Sequence, residues 1–169
     1  MSVFLQSLKL NNFLSFGPES QSIELSPLNV IIGANGSGKS NFIEALELIH
    51  ATPSDISDAI RIGGTAGEWL WKGNGQPTVA TIEAKIASDD PTPELRYKLS
   101  FTEANTRLEI VDEILENSLP NRPGESDVFF YYRFQNGRPV INVMQTVKDG
   151  RVNKERVERH LKLESLNPE

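Results

Sequence analysis

A lysine and a serine stand directly behind three closely spaced glycines in Gly33-Ala34-Asn35-Gly36-Ser37-Gly38-Lys39-Ser40. The spacing Gly-x-x-x-x-Gly-Lys-Ser is that of a phosphate-binding P-loop. Gly33, Gly36 and Gly38 carry no Cβ, so the backbone can turn tightly and come close to a ligand. Successive N–H groups of such a turn form a nest for anionic oxygens. A helix opening at Lys39 adds its unpaired N–H groups and the positive end of its dipole. The residue types assign Lys39 to the β- and γ-phosphates as the catalytic cation, and the Ser40 hydroxyl to Mg²⁺. Ala34, Asn35, Ser37 and Asn41 complete the segment that would wrap the phosphates.

The flanking residues are of the kind needed to hold this loop. Val30, Ile31 and Ile32 form a short apolar run, as expected of a buried parallel strand. Phe42, Leu46 and Ile49 recur at helical spacing, which predicts a helix with one apolar face starting near Lys39. Strand, glycine loop and helix in that order set the motif apart from an ordinary glycine turn.

The 169 residues suffice for one domain with a real core. A hydrophobic content of 38% with 24% charged residues describes a soluble globular chain. No apolar run approaches a membrane span, and Met1-Ser-Val-Phe-Leu-Gln has none of the features of a signal peptide. With no cysteine, disulfides and thiolate metal sites are excluded, which fits a reducing cytoplasm. Two histidines without cysteines offer no dedicated transition-metal site. The net charge of −6 and pI of about 5.0 give no global sign of a nucleic-acid surface.

Along the chain, Leu8 and Leu10 mark an alternating strand, Gly17-Pro18 a turn, and Ile23 with Leu25 a second strand ended by Pro27. Residues 51–64 suggest a short helix from a Ser54 cap through Ile60, stopped by Gly63-Gly64. Trp69 and Trp71, two apart, suit one side of a strand, as packing residues or as an adenine platform. Beyond them the pattern is one of hairpins. Turns at Gly73-Asn74-Gly75 and Asp89-Asp90-Pro91 flank a strand bearing Ala80, Ile82, Ala84 and Ile86. Strands follow at Leu95–Phe101 and near Arg107–Leu115, and a polar loop spans Pro120–Asp127. Val128–Gln135, Asn136-Gly137 and Arg138–Met144 make the strongest hairpin signal. A charged helix is expected from Asn153 to Leu163. Residues 148–162 carry six basic and three acidic side chains, read as a solvated face with nucleic-acid contact as the lesser alternative.

The segments Asn11-Asn12-Phe13-Leu14-Ser15-Phe16 and Leu28-Asn-Val-Ile-Ile-Gly-Ala-Asn-Gly-Ser-Gly-Lys-Ser-Asn41 together resemble the start of an SMC- or RecF-type head, a non-transporter branch of the ABC ATPases. The resemblance is strong over residues 1–50 and weak beyond. It implies an α/β (α+β) fold: a P-loop NTPase core of the ABC-head type with an antiparallel β layer, the first lobe alone. Residues 1–64 would hold the strand pair, P-loop and first helices, 65–147 the β layer, and 148–169 the charged helix. It implies ATP and Mg²⁺ as ligands, with Asn12 and Ser15 as further nucleotide contacts. It also implies hydrolysis between two dimerised heads, DNA as a partner of the full-length protein, and a role in DNA repair, chromosome maintenance or anti-phage defence. The alternative is a P-loop module that binds nucleotide as a switch without hydrolysis. A P-loop kinase is disfavoured, because the arginines between residues 51 and 150 are dispersed.

Other expected parts of such a head are harder to place. Ile110-Val111-Asp112-Glu113 imitates a metal-holding Asp followed by a catalytic Glu, but Glu109 interrupts the apolar run that a buried strand requires. Gln135 and Gln145 stand in poor contexts for a glutamine linking Mg²⁺ to water. No Ser-Gly-rich signature and no heptad arm are present. The expectation is an N-terminal part of a longer ATPase, inactive alone.

Overall fold

Alternating apolar and polar residues build one antiparallel sheet on which a single long helix lies. The computed structural model describes residues 3–53, 56–62, 64–73, 79–88, 94–120, 127–135, 137–146 and 152–160. Its strands are β1 (Val3–Asn11), β2 (Ile23–Glu24), β3 (Ala80–Ser88), β4 (Leu95–Ala104), β5 (Arg107–Asn117), β6 (Phe130–Gln135), β7 (Arg138–Thr146) and β8 (Val152–His160). They form one eight-stranded sheet in the order β2-β1-β3-β4-β5-β6-β7-β8. From β3 onward each strand pairs with the next, so the sheet is a meander with β1 and β2 added at one edge. The helices are α1 (Lys39–Ala51) and α2 (Ile56–Ile62), followed by a 3₁₀ turn at Ala66–Trp69.

The two-residue period sorts the side chains. Leu8 and Leu10 on β1, Ala80, Ile82 and Ala84 on β3, and Leu99 and Phe101 on β4 are essentially without exposed surface. Phe42, Ala45 and Leu48 of α1, together with Ile60 and Trp69, join them in one apolar cluster. Each fully buried leucine or phenylalanine of this layer contributes roughly 1.5–3 kcal/mol. The opposite face carries charge in register. Arg96 donates to Glu116 at 2.5 Å and to Glu83 at 2.7 Å, and Lys98 donates to Asp112 at 2.9 Å.

The end of β1 makes a tight corner. The Phe13 amide donates to the Phe16 carbonyl at 3.0 Å, and the Phe16 amide returns the bond at 2.8 Å. Leu14 at the tip has φ 48 and Asn12 has φ 54. Asparagine tolerates this left-handed region, whereas for leucine it is strained. The corner is held from outside. The Leu14 amide donates to the Trp69 carbonyl and the Trp71 amide to the Asn12 carbonyl, both at 2.9 Å. Phe13 contacts the Trp69 ring at 5.7 Å and the edge of Phe101 at 6.4 Å.

Three expectations are corrected. Val30-Ile31-Ile32 is not a strand: Val30 is 80% and Ile32 87% exposed. A parallel strand exists only by pairing, and no described strand lies beside this run. The charged segment expected as a helix forms β8 instead, paired from Thr146↔Val152 to Val140↔His160. Its valines, Val152 and Val157, do not make a helical stripe, and pairing with β7 overrides a weak helix propensity. Trp69 and Trp71 do not share a strand. Trp69 ends the 3₁₀ turn, buried, with its indole N–H donating to the Ile60 carbonyl at 3.2 Å. The expected turn residues 74–75, 89–91, 121–126 and 136 lie outside the described residues.

Candidate nucleotide-binding site

The glycines take the backbone forms that only glycine adopts at low cost. Gly36 has φ 78 and Gly38 φ 88, both left-handed. Gly38 is also the residue from which α1 starts, and no side chain caps that end. The first N–H groups of α1 therefore have no acceptor within the helix and face outward. Ahead of the loop, Ser26 and Asn29 clamp each other: the Ser26 amide donates to the Asn29 side chain at 2.9 Å, and the Asn29 amide group donates back to the Ser26 carbonyl at 2.5 Å.

The loop closes over its own lysine. The Lys39 ammonium donates to the carbonyls of Gly33 at 2.8 Å and Ala34 at 2.6 Å, and to the Ser37 hydroxyl at 3.4 Å. The Ser37 amide donates to the Ala34 carbonyl at 3.2 Å, which curls the segment into a ring. A cation is thus held at the mouth of a nest of glycine amides, and Ser40 follows on the first turn of α1, exposed. These groups fit a polyphosphate: left-handed glycines, uncapped helix amides and a mobile cation are its complement. Ser40 would be the residue to hold Mg²⁺, which would neutralise phosphate charge.

Asn12 and Ser15 part company. Ser15, at the tip of the β1 corner, stands with its hydroxyl oxygen 2.7 Å from where a Cβ on Gly38 would lie, so it touches the phosphate loop. Asn12 instead donates through its side chain to the Val79 carbonyl at 3.2 Å, stitching the end of β1 to the start of β3. Its side-chain oxygen is buried without a partner. Gly33, Ser37, Gly38 and Lys39 line a cavity of about 420 Å³ together with Phe16, Ile23, Glu24 and Phe42. The sequence reading missed Phe16 and Glu24. Phe16 stands in the segment that carries the resemblance but was not singled out as a contact, and Glu24 belongs to no motif; the β1 corner and the short β2 bring them to the loop. Trp69 and Trp71 do not line this cavity.

A bulge falls directly ahead of the imitation acid pair. The β4–β5 register shifts between Ser100 and Phe101, so Phe101 pairs with Ile110 while Ser100 pairs with Asp112. Val111 is the extra residue, 40% exposed. Asp112 ends on the charged face with Lys98, and Glu113 on the helix-bearing face, where the Tyr97 hydroxyl donates to it at 2.8 Å. Each carboxylate is thus held by a neighbour in the sheet, Asp112 by Lys98 and Glu113 by Tyr97. Gln135 ends β6, exposed, and Gln145 lies on β7. From β1 the sheet places them four and five strands away, about 19 and 24 Å.

A family model of the AAA domain matches residues 7–165, nearly the whole chain. The chain belongs to the AAA domain family. It is also similar to the chromosome partition protein Smc of Thermoplasma acidophilum, 27% identical over 187 residues. That alignment covers 100% of this chain but 16% of the Smc protein, so the AAA domain spans a small part of its relative's length. Family and similarity both agree with the resemblance carried by the opening residues. No helix among the described residues is long and apolar enough to cross a membrane.

Proposed function

We propose that this AAA domain binds ATP with Mg²⁺ between Gly33 and Asn41 and serves as the nucleotide lobe of an SMC-like ATPase. Lys39 leaves the Gly33 and Ala34 carbonyls for the β- and γ-phosphates, and Ser40 faces the metal. Ser15 supports the loop from the β1 corner and comes within reach of the nucleotide. The observation that carries the reading is the Lys39 ammonium held by the Gly33 and Ala34 carbonyls, beside left-handed Gly36 and Gly38, at an uncapped helix start. Hydrolysis would occur in the full-length protein between paired heads, with DNA as a partner and genome repair, maintenance or defence as the setting. A second head would supply groups that the described residues of this chain do not hold.

The experiment is a titration with ATP and Mg²⁺ followed on the amide resonances of Gly33–Ser40. Saturable shifts in the wild type, absent in Lys39→Ala, support the reading; unmoved resonances in the wild type overturn it. One observation favours a second reading, binding without hydrolysis by this chain: Asp112 is engaged by Lys98 and Glu113 by Tyr97 within the sheet. The same protein should therefore bind ATP yet release phosphate no faster than Lys39→Ala. A rate that depends on Lys39 would remove that reading.

A further inference from the structure

One carboxylate of the sheet reaches a backbone amide 36 residues away in the chain. Glu103 stands near the end of β4, two residues beyond buried Phe101 and so on the same face. Its carboxylate accepts the amide of Gly67, the second residue of the 3₁₀ turn at Ala66–Trp69. An amide so near the start of a helical turn has no acceptor within it. Thr65, at the cap position, supplies none from its side chain. Glu103 thus caps the turn from the sheet. The approach is close: a Cβ on Gly67 would lie 2.8 Å from the carboxylate oxygen.

The far end of the same turn holds the β1 corner. The Trp69 carbonyl accepts the Leu14 amide, the Trp71 amide donates to the Asn12 carbonyl, and Phe13 bridges to Leu70 between them. The corner needs that hold, because Leu14 has φ 48, a strained form that persists only when its surroundings impose it. The next residue is Ser15, whose hydroxyl lies against Gly38 of the phosphate loop. Trp69 packs on Phe13 below the corner, but apolar contact has no direction of its own. Direction comes from hydrogen bonds at both ends of the turn. The Trp69 indole ties it to Ile60 of α2, and Glu103 ties it to the sheet through a charged acceptor, the stronger kind.

We propose that Glu103 is a positioning residue: by capping the 3₁₀ turn it fixes the β1 corner, and with it the place of Ser15 against the phosphate loop. The inference rests on the nucleotide-binding reading of that loop for its consequence, though not for its mechanics. The test uses Glu103→Ala, Glu103→Gln, Gly67→Ala and the double variant Glu103→Ala/Gly67→Ala. Gly67 is not in the left-handed region, so its alanine crowds the carboxylate without straining the backbone. Lys98→Met, which breaks an ion pair on the other face of β4, is the control. Two readouts are taken in the full-length protein at a temperature where all variants are folded. One is hydrogen exchange of the Leu14 amide without nucleotide; the other is ATP affinity.

Glu103→Ala and Gly67→Ala should each speed exchange at Leu14 about tenfold and weaken ATP about three- to tenfold. Glu103→Gln keeps an acceptor oxygen and should retain most of the wild-type behaviour. The double variant should be no worse than Glu103→Ala, because both changes act on one contact. Lys98→Met should change neither readout. Unchanged exchange in Glu103→Ala, an equal change in Lys98→Met, additive losses in the double variant, or a Glu103→Gln as impaired as the alanine overturns the proposal. If the wild type fails to bind ATP, the functional reading falls, while the exchange data still decide whether Glu103 positions the corner.

Discussion

The Ser15 hydroxyl lies against Gly38, so close that a Cβ there would sit 2.7 Å from its oxygen. The β1 corner and the phosphate loop therefore meet at a place with no room for a side chain, on a residue whose φ of 88 already requires glycine. Gly38→Ala suffers both faults. The left-handed backbone alone costs on the order of 1–3 kcal/mol. Ser15→Gly relieves the contact but not the backbone. The double variant should recover part of the stability lost by Gly38→Ala and little of the nucleotide affinity, as thermal melts and ATP titration will show. Full recovery of both would mean that crowding, not φ, sets the requirement.

Lys39 bonds only to the loop that it closes, and no core residue depends on it. Lys39→Ala should leave the melting temperature within a degree or two of wild type. Hydrogen bonds to charged groups are worth roughly 1.5–3 kcal/mol, so ATP affinity should fall about ten- to a hundredfold. Calorimetric titration beside a thermal melt separates the two effects. A large stability loss would show that the ammonium also holds the loop together.

On the charged face the decisive residue is Arg96. It joins Glu83 on β3 to Glu116 on β5, and the Glu116 side chain is only 7% exposed. Arg96→Met would leave that carboxylate with Arg133 at 3.7 Å as its remaining ion partner. Breaking a buried pair from one side costs about 3–5 kcal/mol, and the residual contact places this case at the lower end. Denaturant unfolding measures it. Partial burial would raise the Glu83 carboxyl, but the hydrogen bond and charge of Arg96, with Lys9 and Lys98, outweigh it and hold Glu83 below the usual range. A depressed carboxyl stabilises above its unfolded pKa and loses that contribution as pH falls through the folded value. The stability gap between wild type and Glu83→Gln should accordingly be present at neutral pH and close in acid.

How much of this could be read from the residues depends on what each signal refers to. The phosphate loop and α1 were legible because their cause is local: Gly36 and Gly38 need φ above zero, and Phe42, Leu46 and Ile49 mark a helical face. The β3–β7 hairpins were legible because alternation and turn residues carry them. Val30–Ile32 misled because an apolar run reads as a strand whether or not a neighbour is there to pair with it. β8 misled because charged residues suit a helix in isolation, and only the free edge of β7 decides otherwise. The bulge at Val111 left no local trace: it is a mismatch between two strands, and it puts Ile110 and Asp112 on opposite faces although they stand two apart. The resemblance named Ser15 as a nucleotide contact but not its apposition to Gly38, and Phe16 and Glu24 in the cavity wall were not singled out.

The two tyrosines beside Glu113 can be titrated directly. Burial, then the charge and hydrogen bond of Glu113, pushes the Tyr132 hydroxyl up to about 12, and burial with the same carboxylate pushes Tyr97 up further. A phenol next to a carboxylate must lose its proton against a negative charge, and away from water it does so with less solvation. A tyrosine whose folded pKa is raised contributes stability that is complete below its unfolded value, near 10. That contribution drains away as pH climbs toward the folded value, because the unfolded chain releases the proton and the folded one does not. Phenolate absorbance should show Tyr132 ionising about two units late, and Tyr97 only as the protein unfolds. In Glu113→Gln the Tyr132 midpoint should move down, since the carboxylate charge is gone while burial remains. An unchanged midpoint would mean that burial alone sets it, and that the carboxylate carries no weight.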